Sequence, residues 1–86
     1  MKLTPDEYNA RLNQRKKTLL AVYRTHERGQ RIKSVDLSGL SGPGYLDYIW
    51  LIDNGYLTLL RQSTAELELK ITGKGINEIE NNYVEK

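Results

Sequence analysis

The spacing of apolar residues changes at Gly55, and that change constrains the fold more than any other feature of the chain. Beyond it, Leu57 and Leu59 alternate with polar neighbours, and Leu67, Leu69 and Ile71 alternate with Glu66, Glu68 and Lys70. Alternation of period two marks half-buried strands. The pattern predicts strands over 56–60 and 66–71, joined by the polar run Arg61-Gln62-Ser63-Thr64-Ala65 as a hairpin. Before Gly55 the apolar residues recur at helical spacing instead.

Thr4-Pro5-Asp6-Glu7 is a helix start: Thr4 caps, Pro5 suits the first helical position, and Glu7 closes a capping box. Tyr8, Leu12, Leu19, Leu20 and Tyr23 follow at helical spacing, interrupted by a wholly polar stretch over 13–17. That leaves open one long helix with a weakly packed first half, or two shorter ones. Gly29 is the expected stop, after Arg24 and Arg28, whose charges suit a helix C-terminus. Arg31-Ile32-Lys33 reads as an extended link. Ser34 is the expected cap of a very short helix carrying Val35 and Leu37. Ser41 or Gly42 then caps a helix over 43–54, which Gly55 ends. Thr72 caps a final helix with Ile76, Ile79 and Tyr83 on one face.

The expected fold is α+β, mostly α: a winged helix-turn-helix with a three-helix core, a two-stranded hairpin wing, and added N- and C-terminal helices. It forms one domain over 1–86, with a helical extension over 1–17, the helix-turn-helix and wing over 18–71, and the last helix over 72–86. Two blocks carry a resemblance. Leu51-Ile52-Asp53-Asn54-Gly55-Tyr56-Leu57 and Leu69-Lys70-Ile71-Thr72-Gly73-Lys74-Gly75 resemble the signature of small prokaryotic and archaeal winged-helix transcriptional regulators. In that family the first block closes the recognition helix and opens the wing, and the second closes the wing and opens the final helix. The resemblance spans about residues 18–84. It implies duplex DNA as partner, with the helix over 43–54 entering the major groove.

No catalytic constellation stands out. His26 is the single histidine, near the end of a basic helix, where a solvated side chain is the simplest reading. Gly73-Lys74-Gly75 shares a Gly-Lys pair with phosphate loops. It lacks the earlier glycine, and Gly75 stands where a serine or threonine should hold magnesium. With no cysteine and scattered acids, no metal site is predicted, and no cofactor. The first seven residues have no apolar segment and no run is long enough for a membrane span, so the expected setting is cytoplasmic.

Charge is unevenly placed. Residues 1–43 hold nine Lys and Arg against four acids, a net +5; residues 44–86 hold four against seven, a net −3. A basic face for an anion and an ordinary solvated helix both fit this. The turn before the helix over 43–54 is rich in small residues. Ser41, Gly42, Gly44 and Tyr45 are the candidate contacts to a nucleic-acid backbone at a helix N-terminus, with Arg31, Lys33 and Arg61 as positioning cations. A tight capped turn is the plain alternative. The helix itself fits DNA poorly. With Leu51 at the centre of its buried face, its outer face carries Leu46, Ile49 and Asp53, bordered by Trp50 and Asp47, with no basic residue. Base-reading faces normally carry polar donors and acceptors. Leu46, Ile49 and Trp50, together with Tyr8, Leu12, Ile79 and Tyr83, are therefore candidates for a partner or homodimer interface. The N-terminal helix folding over that face is the alternative.

Overall fold

The computed structural model describes residues 3–82. Helix α1 (Pro5–Glu27) starts on the expected capping box: Glu7 N–H donates to Thr4 Oγ1 at 3.2 Å, and Thr4 N–H to Glu7 Oε1 at 3.2 Å. It runs unbroken through the polar stretch. Gly29 follows with φ +84°, the left-handed conformation that ends a helix at least cost on glycine.

The short helix expected from Ser34 is instead strand β1 (Lys33–Asp36), followed by a single 3₁₀ turn over Leu37–Gly39. Asp36, not Ser34, caps that turn. It accepts from the Ser38 amide at 2.9 Å and the Ser38 hydroxyl at 2.8 Å, which holds its carboxyl below the ordinary carboxylate value. β1 forms because it can pair. Val35 packs inward and the strand lies antiparallel to β3 (Glu66–Ile71), Val35 opposite Leu67. Helix α2 (Gly42–Asp53) is capped by Ser41, whose Oγ accepts from Gly44 N–H at 3.0 Å, and Gly55 (φ +81°) follows its end.

Strand β2 (Leu57–Gln62) extends into the expected loop, so only Ser63, Thr64 and Ala65 turn the hairpin. Leu60 is an extra residue between the Leu59–Leu69 and Arg61–Glu68 pairs, a bulge that leaves it exposed. The antiparallel sheet has the order β1-β3-β2. Its inner face, with Leu57, Leu67, Leu69 and Ile71, meets Leu19 and Val22 of α1, Leu51 of α2 and Ile79 of α3 (Gly73–Asn82) in one core. The described residues thus form a small α+β fold of three helices and a three-stranded antiparallel sheet. The layout is compatible with a winged helix. None of these helices is long and apolar enough to cross a membrane.

Candidate nucleic-acid interface

α2 carries most of the expected site, and α1 decides how much of it is open. One turn into α2, Asp47 is fully buried. The sequence pattern puts it at the border of the outer face. Arg11 explains the difference: its Nη2 donates to Asp47 Oδ1 at 2.7 Å and to the Pro43 carbonyl at 3.2 Å. Arg15 adds its charge, with Nε 3.9 Å from the same oxygen. The polar first half of α1 therefore docks on α2 through cations. Burying a carboxylate is tolerable only with such partners. Of the two aspartates that the pattern puts on the outer face or at its border, only Asp53 is exposed.

Trp50 is likewise covered by its own chain. The Arg15 guanidinium lies 4.6 Å from its ring centre, and Tyr56 stacks on it at 5.9 Å and 18°. Lys74 closes the column from α3, 4.7 Å over the Tyr56 ring, and donates to the Asn54 carbonyl at the end of α2 at 2.9 Å. A cavity of about 140 Å³ lies beside the column, lined by Leu12, Arg15, Leu19, Trp50, Tyr56 and Glu78 among others.

The two sequence blocks meet at this junction. The Thr72 hydroxyl donates to the Gly55 carbonyl at 2.6 Å and accepts from Gly75 N–H at 3.0 Å. A Cβ on Gly75 would collide with the Tyr56 carbonyl and lie 2.7 Å from Ile71 Cγ1. Gly73-Lys74-Gly75 is thus occupied in joining α2, the hairpin and α3.

The seven nucleic-acid candidates divide. Tyr45 reaches the end of the hairpin: Gln62 Nε2 donates to its hydroxyl at 3.4 Å. Ser41, Gly42, Gly44 and Tyr45 therefore share one end of the molecule with the hairpin, and Arg61 lies in β2 one residue before Gln62 rather than in the loop. Arg61 stands opposite Glu68, which moderates its charge. The backbone cradle is thinner than expected. Pro43 has no N–H, and the amides of Gly44 and Tyr45 already donate to Ser41, so the turn offers an anion chiefly the amide of Gly42. Arg31 and Lys33 do not join this end. Asp36 lies opposite Glu66 beside the turn, whereas Lys33 lies opposite Leu69, about 10 Å back along β1 at the rise of a strand. Arg31 lies farther back still.

The interface candidates divide too. Leu46 is 58% exposed and Tyr8 52%. Ile49 and Trp50 are half-buried, and Leu12 lines the cavity. Ile79 is a core residue at 4% exposure, so it is not open to a second copy. Tyr83 lies outside the described residues. Sequence reasoning missed Arg11 and Arg15 as the residues that close α2; their spacing of four on one helix face was the available signal. No protein-family model, curated protein or solved structure matches the chain.

Proposed function

We propose that the chain is a winged-helix-like DNA-binding protein of the transcription-regulator type, docking on duplex DNA through the start of α2 and the adjoining hairpin. The supporting observation is the contact between Tyr45 and Gln62. It holds an exposed helix start beside an exposed hairpin end, the pairing of elements a groove and its flanking backbone require. The most open side chains of α2 are Pro43, Leu46 and Asp53, and none of them donates a hydrogen bond to a base edge. Docking of this kind rests on backbone contact and shape more than on base reading.

Gly42→Glu tests this reading. A Cβ at Gly42 meets nothing within 4 Å, and a carboxylate in the first turn of a helix suits its dipole, so the fold should keep its stability. Anisotropy of a labelled mixed-sequence duplex should then show weaker binding at every salt concentration. Unchanged affinity would remove the start of α2 from the interface.

A second reading has one observation behind it. Leu46 is the most exposed large apolar residue among the described residues, and Ile49 is half-buried one turn along. A protein partner or a second copy of the chain on that face would bury both. Leu46→Glu should then turn a dimer into a folded monomer in sedimentation. A wild type already monomeric at high concentration, with no duplex binding, would leave only a foreign protein partner.

A further inference from the structure

A second charged surface lies on the far edge of the sheet. Because the order is β1-β3-β2, β1 and β2 are opposite edges, and α2 packs on the β2 side. On the β1 side, Lys17, Leu20, Ala21 and Arg24 of α1, with Arg28 just past its end, face Lys33 of β1 across a depression of about 340 Å³. Every charged side chain lining it is a cation. On the neighbouring helix α3, Glu80 accepts from the Tyr23 hydroxyl at 3.1 Å.

The geometry is linear. Positions 17, 21, 24 and 28 fall within about 60° of one helix face and span about 16 Å along the axis. A track of this length reaches more than one phosphate of a single strand. Leu20 and Ala21 supply its apolar lining. Arg28 is steadied by donation to Thr25 Oγ1 at 3.4 Å. A membrane surface is broad and would meet a convex face; a depression whose charged lining is all cationic fits a phosphodiester backbone.

We propose that the groove between α1 and β1 binds the backbone of a nucleic acid, by contacts separate from those at the start of α2. The assignment does not depend on the α2 reading. Where both hold, one chain carries two nucleic-acid faces on opposite edges of a molecule 37 × 36 × 20 Å in extent, and can bridge two duplex segments.

The test compares variants of the full chain by duplex anisotropy across a salt series, with circular dichroism checking the fold. Lys17→Ala with Arg28→Ala should make the slope of log affinity against log salt shallower by about two, one for each lost phosphate contact. If that variant folds poorly, Lys17→Gln with Arg28→Gln should give the same change. An unaltered slope and affinity would overturn the proposal. Arg28→Glu should weaken binding more than Lys70→Glu, which changes net charge equally on the outer face of the sheet. Equal losses would mean that net charge alone is being read, and would also overturn it. So would a wild-type chain that ignores duplex and binds phosphatidylserine vesicles. Gly42→Glu separates the two faces: loss in the groove variant with Gly42→Glu silent sustains the groove and removes the α2 site, and the reverse pattern does the opposite.

Discussion

Asp47 shows how unequal two partners of one ion pair can be. The carboxylate is wholly buried, whereas the Arg11 side chain keeps about a quarter of its exposure. Removing the arginine strands a charge away from water; removing the charge frees an arginine that can still reach solvent. Arg11→Ala should therefore cost about 3 kcal/mol in urea unfolding, and Asp47→Asn clearly less. Equal costs would mean the carboxylate is better hydrated than its burial implies. Gly75 and Gly73 make a second unequal pair, two residues apart. At Gly75 an added methyl meets the Tyr56 carbonyl and the Ile71 side chain, while at Gly73 it meets nothing. Gly75→Ala should lower stability by about 2 kcal/mol, the scale of overpacking, and Gly73→Ala should be neutral or slightly favourable. Thermal melts of the two variants side by side decide it.

At the scale of elements, what could be read in advance was what local chemistry determines. The Thr4 capping box, the stops at Gly29 and Gly55, the Ser41 cap and the whole of β3 follow from nearest-neighbour rules, and each lies where those rules put it. What could not be read depends on partners distant in sequence. β1 exists because β3 offers an edge; Ser34 and Val35 alone suit a helix start equally well. β2 ends two residues later than expected because its pairing continues past the bulge at Leu60. The first half of α1 looked weakly packed because ion pairing to Asp47 leaves no apolar trace. The site suffered most from this. Charge alone puts Lys33 with the start of α2, and strand register moves it to the edge of the sheet formed by β1. Thr72 shows an element held at a single atom. Its hydroxyl both caps α3 and ties the hairpin to the end of α2, so Thr72→Val, of similar shape without the hydroxyl, should cost about 1–2 kcal/mol. It should also increase hydrogen exchange at the Gly75 amide, which a loss of packing elsewhere would not single out.

The whole molecule has little stability to spare, since a chain of this size buries only about 60% of its unfolded surface. One group within the core then contributes to its response to alkali. Tyr48 is 8% exposed on α2, and burial, with the neighbouring Asp47 carboxylate second, raises its hydroxyl above the ordinary value of 10.0. The folded state therefore holds this proton more tightly than the unfolded chain does. Such a contribution is fully present below about pH 10, and it is lost as pH climbs through the raised folded value. The melting temperature should fall in strong alkali, because unfolding lets Tyr48 ionise in water. Tyr48→Phe keeps the ring and removes the ionisation, so its melting temperature should fall less from neutral pH to alkali. Tyr23, also raised, by burial and its bond to Glu80, accounts for part of what remains. If Tyr48→Phe and the wild type lose stability in parallel, Tyr48 ionises as readily in the fold as in water, and the packing of α2 against the sheet is looser than the structure describes.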